Sequence, residues 1–135
     1  MGSGGGGDNG IWMVHRDGGS GVRLIEGGGA TWPSASPDGR YVYFEARNAR
    51  FRYDRNPYQG IYQIRKFDRV TGDVSPVTGR FGGAGRPSIS PDGGTLTFIS
   101  RDRLDHVLVA HDLATGAERI VFRCADNVLF RDAIL

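Results

Sequence analysis

Apolar and polar residues alternate along this chain in short runs of four to seven, each bounded by Gly, Pro, Asp or Ser. Two-residue periodicity over so short a run predicts half-buried β-strands. The runs are Ile11–Arg16, Val22–Ile25, Tyr41–Phe44, Ile61–Phe67, Val74–Thr78, Thr95–Ile99, Val107–His111 and Glu118–Arg123. They are rich in β-branched and aromatic residues, which fit a pleated surface. Val42 and Phe44 are expected on one sheet face, as are Leu96 and Phe98. No helix is predicted ahead of the C-terminal tail.

The punctuation between runs repeats. Pro33-Ser34-Ala35-Ser36-Pro37-Asp38-Gly39 returns as Pro87-Ser88-Ile89-Ser90-Pro91-Asp92-Gly93, 54 residues later. Asp68-Arg69-Val70-Thr71-Gly72 returns as Asp112-Leu113-Ala114-Thr115-Gly116, 44 residues later, so the first copy holds 10 more residues between landmarks. In Ser-Pro-Asp-Gly, Pro presets φ, Asp suits the next position and Gly accepts the left-handed one. In Asp-x-x-Thr-Gly the polar side chains bond nearby backbone. Each copy therefore reads as four antiparallel strands, A to D, with tight A–B and C–D turns: one propeller blade. The fold class is all-β, an incomplete β-propeller of about two and a half blades. Residues 1–9 are a linker, 10–26 half a blade (strands C and D), 31–78 blade 1, 86–123 blade 2, and 124–135 a tail that could add a closing strand.

Composition refines this only slightly. The 22 glycines among 135 residues far exceed the usual ~7%, and many fall in Met1–Asn9, a flexible linker or tag with neither the basic start nor the apolar segment of a signal peptide. Net charge is +2, and every basic residue but Lys66 is Arg. No apolar stretch is long enough to cross a membrane as a helix, so no membrane insertion is expected. Cys124 is the lone cysteine, which excludes an internal disulfide and fits an apolar packing residue.

Alternation sorts the connections onto two ends. The A–B and C–D turns share one; the B–C and D–A connections share the other. The second end holds the irregular sequence, where binding residues usually sit. Arg47, Arg50, Arg52, Tyr53, Arg55 and Tyr58 fall in or beside the B–C insertion of blade 1, and Arg80 and Arg86 in the D–A connection. They read as an Arg/aromatic patch for a carboxylate, a phosphate or an acidic protein surface. The alternative is a solvated insertion that packs on a neighbouring domain. Interspersed acids and a near-balanced charge argue against nucleic acid.

Catalytic signals are missing. His106 and His111 lie five apart on one strand and so point to opposite faces, a poor arrangement for a shared metal. There is no Gly-x-Ser-x-Gly elbow, and Gly82-Gly83-Ala84-Gly85 lacks the Lys-Ser/Thr of a phosphate loop. Asp38, Asp92, Asp68 and Asp112 recur once per blade, as turn-formers do and a catalytic pair need not. No metal, cofactor or catalytic residue is assigned.

The pattern Pro-x-x-Ser-Pro-Asp-Gly-x-x-(apolar)-x-Phe followed by Asp-x-x-Thr-Gly resembles the TolB-type, WD-repeat-like propeller repeat over about residues 11–123. The resemblance implies a non-catalytic scaffold for protein or ligand interaction, and a periplasmic or secreted setting. Similar propellers precede bacterial amidohydrolase domains and occur in prolyl oligopeptidases, which implies as an alternative a substrate-gating portion of a hydrolase; the Gly-rich start Met1–Gly7 suggests another, a self-assembling propeller fragment. The insertion with Asn56-Pro57-Tyr58 is most like the amidohydrolase setting. Such propellers usually have six or more blades. The expected partners are therefore a protein, the remainder of a larger chain, or a second copy whose tail pairs beside Ile11–Arg16 to complete six blades.

Overall fold

The computed structural model describes residues 10–27, 29–47 and 62–124. They form ten strands and no helix: β1 Ile11–Met13, β2 Val22–Ile25, β3 Thr31–Ala35, β4 Tyr41–Arg47, β5 Tyr62–Asp68, β6 Val74–Pro76, β7 Gly85–Ile89, β8 Thr95–Asp102, β9 Asp105–Asp112 and β10 Glu118–Cys124. Three antiparallel sheets result: a pair β1-β2, a blade β3-β4-β5-β6 and a blade β7-β8-β9-β10. This is the half blade and two blades that the repeat predicts, and they leave an open arc. The sheets converge where β3 meets β7, while β6 and β10 lie at the diverging edges. β3 and β7 are therefore the innermost strands of their blades.

The turns are built alike in both copies. Ser36 N donates to Tyr41 O (2.8 Å) and Gly39 N to Ser36 O (2.9 Å); Ser90 N to Thr95 O and Gly93 N to Ser90 O repeat both distances. Gly39 and Gly93 sit at φ 74° and 77°, which a residue with a Cβ adopts only under strain. The Asp-x-x-Thr-Gly turns match as well. Asp68 Oδ1 accepts from Val70 N at 2.9 Å and Asp112 Oδ1 from Ala114 N at 2.9 Å. Each Thr hydroxyl then accepts from the N–H two residues on, at 3.2 Å. All four repeated aspartates are turn residues.

Two seams hold the core. Ile11, Ile25, Ala30, Val42, Phe44 and Ala46 fill the one between the half blade and blade 1. Tyr43, Ile64, Ala84, Leu96, Phe98, Val107 and Val109 fill the one between the blades. Val42 and Phe44 share a face as expected, and Leu96 and Phe98 do too. Tyr43, between Val42 and Phe44, is also buried, because blade 1 is covered on both faces.

Several strands differ in extent from the pattern. β1 stops at Met13 rather than Arg16, because the chain already turns at His15, whose carbonyl accepts from Gly18 N at 2.9 Å. β6 stops at Pro76 rather than Thr78. Val77 N and Thr78 N both donate to Ile64 O, and the Thr78 hydroxyl accepts from Ile64 N, so the chain folds over the ladder instead of extending it. β8 and β9 run longer, to Asp102 and from Asp105, and pair up to the two-residue turn Arg103-Leu104. The linker, most of the B–C insertion and the tail beyond Cys124 lie outside the described residues, and with them any closing strand.

Candidate functional site

At the inner edge, β3 and β7 each begin with a bulge before a proline. The register of β3 on β4 shifts between Thr31 and Ser34, and that of β7 on β8 between Gly85 and Ser88. Trp32 and Arg86 occupy the equivalent positions at φ 53° and 51°. Left-handed backbone is uncommon for any residue with a Cβ, and a following proline restricts it further. Both residues are exposed at the seam or close to it, and the Arg86 guanidinium lies 4.8 Å from the centre of the Trp32 ring. This is cation–π geometry.

The strain is supported from below. Glu45 on β4 accepts from the Thr31 hydroxyl at 3.1 Å and from Arg86 N at 2.8 Å, and so ties β3, β4 and β7 together. Ser34 Oγ accepts from Ile89 N at 3.1 Å across the same seam. A Cβ on Gly85 would lie 2.7 Å from Glu45 Oε2, so any larger residue there would push the Glu45 carboxylate aside. The arrangement sets a flat indole face beside a guanidinium on a rigid frame, a pairing of the kind found at recognition surfaces.

The predicted patch is only partly gathered here. Arg86 is at the site. Arg47 is exposed at the end of β4, opposite Tyr62. Arg80 goes elsewhere: its guanidinium lies 5.9 Å from the Phe98 ring centre and bonds Glu118 Oε1 at 3.1 Å. Glu118 Oε2 in turn meets His111 Nδ1 at 2.7 Å. Arg80 is thus a bolt between the blades rather than a receptor for outside anions. Arg50, Arg52, Tyr53, Arg55 and Tyr58 lie outside the described residues. Trp32 and Glu45 were not predicted. Extending the comparison of the two copies one residue upstream, to Trp32-Pro33-Ser34 and Arg86-Pro87-Ser88, would have found Trp32.

At the opposite end the carboxylates are held ionised. Ser36 and the Arg40 N–H lower the Asp38 pKa; Ser90 and the Gly94 N–H do the same for Asp92. Asp68 falls to about 2, first because of Arg40, whose guanidinium bonds it at 3.0 Å, and then the N–H groups of Val70 and Thr71. Each interaction belongs to a turn. Among the described residues no three His, Cys, Asp or Glu side chains are grouped to hold a metal, and no helix is long and apolar enough to cross a membrane.

An antiparallel four-stranded sheet repeated about a narrow inner edge is a β-propeller blade. No protein-family model and no curated protein matches the chain in sequence. Solved structures do match. A protein assigned as TolB from Agrobacterium tumefaciens superposes with TM-score 0.69 at 27% identity, over 86% of this chain and 42% of that one. TolB from Acinetobacter baumannii gives 0.66 at 21%, over 82% and 26%. A prolyl endopeptidase gives 0.57 at 21%, over 85% and 18%. The described arc has the fold of part of a TolB-type β-propeller, and the chain spans less than half the length of each of these proteins.

Proposed function

We propose that the chain is a non-catalytic β-propeller scaffold that binds a protein or ligand at the inner edge of its blades. The observation that carries this is the Trp32–Arg86 stack, in which two exposed residues have left-handed backbone and Glu45 bonds the Arg86 N–H and the Thr31 hydroxyl beside Trp32. Strain kept at a solvent-facing position is a mark of function rather than of packing. The likeness to TolB supports the scaffold reading, and a periplasmic or secreted setting goes with it. The likeness to a prolyl endopeptidase favours a second reading, in which the arc belongs to a propeller that screens substrates for a hydrolase.

Exposed apolar residues at the two ends of the arc support a further body packing there. Trp12, Met13, Val14 and Val22 lie at one end, and Ile120, Val121 and Phe122 at the other. The remainder of a larger chain or another copy would cover them.

The test is calorimetric titration of the chain with hexaglutamate, an acidic probe. Saturable binding that weakens at least tenfold in both Trp32→Ala and Arg86→Ala is expected. Binding that survives both substitutions, or none to the unaltered chain, overturns the inner-edge reading. Turnover of a prolyl chromogenic peptide by the chain itself would overturn the non-catalytic one.

A further inference from the structure

The turn end of the seam between the blades carries a second concavity, separate from the Trp32–Arg86 site. It has a volume of about 490 Å³, within the usual range of small-ligand sites. Tyr41, Tyr43 and Lys66 form one wall, Gly94, Leu113 and Ala114 the other, and Asp38 and Asp92 stand at the turns that border it. The two turns touch, since a Cβ on Gly93 would lie 3.3 Å from Pro37 Cδ. The concavity is therefore a product of packing two repeats together and exists in neither alone.

Lys66 is the one lysine of the chain. It pairs with Tyr43 across β4 and β5, and its Nζ lies 4.7 Å from the centre of the Tyr41 ring. Among the described residues it has no carboxylate within ion-pair distance. An ammonium held over an aromatic face, unpaired and beside a cavity, is placed to meet an anion from outside. Asp38 and Asp92 restrict which anion. Each has one oxygen, Oδ1, bonded within its own turn. Two fixed negative charges beside the cavity repel a phosphate or a polyanion and attract an ammonium.

From this charge pattern, one ammonium and two carboxylates lining the same concavity, we propose that the concavity binds a short peptide with free ends. Its terminal carboxylate meets Lys66, its terminal ammonium meets Asp38 and Asp92, and its side chains lie on Tyr41, Tyr43 and Leu113. The site is independent of the inner-edge stack and stands whether or not that stack binds anything.

The experiment titrates the full chain with tri-alanine, tri-alanine amide, N-acetyl-tri-alanine and inorganic phosphate, by calorimetry. Tri-alanine should bind saturably. The amide should bind at least tenfold more weakly, as should tri-alanine to Lys66→Met; Lys66→Arg should keep most of the affinity, and N-acetylation should weaken binding several-fold. An unchanged melting temperature in Lys66→Met confirms that the fold is intact. No saturable binding of tri-alanine, equal binding of the amide, or undiminished binding to Lys66→Met overturns the proposal. Tighter binding of phosphate than of tri-alanine overturns the peptide assignment. Trp32→Ala should leave all of this unchanged; loss there with retention in Lys66→Met would move the peptide to the inner edge and defeat the proposal.

Discussion

The carboxylate of Glu45 in one blade accepts the backbone N–H of Arg86 in the next, at 2.8 Å. The same carboxylate takes the Thr31 hydroxyl, and the Cβ that Gly85 lacks would fall 2.7 Å from it. Glu45→Ala should therefore destabilise the chain by about 1–3 kcal/mol in urea unfolding, since it strands a backbone donor at the seam. Gly85→Ala pushes on the same oxygen and should produce a smaller loss, because the end of the Glu45 side chain can shift. The double variant should cost clearly less than the two single losses added together, because both act on one contact. Simple additivity would show that Gly85→Ala acts through some other contact.

Glycines with similar φ should differ widely in tolerance. Gly82 (φ 91°) faces the Arg101 carbonyl, and a Cβ would lie 1.9 Å from its oxygen; Gly72 (φ 79°) has nothing within 4 Å. Gly72→Ala should cost only the left-handed penalty, about 1–2 kcal/mol. Gly82→Ala should leave little folded protein, as backbone must move. Gly93→Ala adds a 3.3 Å approach to Pro37 and should fall between them. Circular dichroism melts rank the three.

Phe44 and Phe98 are 2% and 0% exposed and lie in different seams. Each change to Ala should cost about 3–5 kcal/mol. Because the sites share no core cluster, the losses should add to within about half a kcal/mol. A markedly smaller loss at Phe44 would indicate that the half-blade seam is loosely packed.

Asp68 provides a pH signature. Its folded pKa of about 2 lies below the ordinary 3.8, chiefly through the Arg40 guanidinium. The stabilisation is therefore complete above about pH 4 and is lost as pH falls toward 2. Arg40→Gln should raise the Asp68 pKa only part of the way, because the N–H groups of Val70 and Thr71 remain. Carboxylate NMR titration of the two proteins reads this directly. No rise would assign the shift to the turn backbone alone, as at Asp112, where the Thr115 and Ala114 N–H groups lead.

Arg80→Met should behave as a stability variant. It leaves Glu118 with His111 alone and removes the guanidinium from Phe98. A loss of about 1–3 kcal/mol is expected, with hexaglutamate affinity unchanged once the protein is folded. Lost affinity without lost stability would return Arg80 to the binding patch.

Strands and turns were legible because their causes are local. Ser36, Asp38 and Gly39 bond one another and their immediate neighbours, so a seven-residue repeat carries the turn with it. The seams were not legible, because their contacts join residues far apart: Glu45 to Arg86, Ser34 to Ile89, Arg80 to Glu118. Arg80 was read as a loop cation because nothing near it in sequence shows that its side chain reaches into the next blade. The far ends of β8 and β9 were read as loop because Arg101, Asp102, Asp105 and His106 break the apolar alternation. There the ladder is held by backbone pairing and by Arg123, which bonds both Asp102 and Asp105.

The paired bulges of β3 and β7 separate frame from content. The proline, serine and left-handed turn of the backbone are common to both blades, while the residue just before the proline is Trp32 in one and Arg86 in the other. One position per blade can therefore be exchanged with little demand on the scaffold. Each added blade would bring one more letter to the inner rim, and new recognition could evolve, or be engineered, by spelling rather than by refolding.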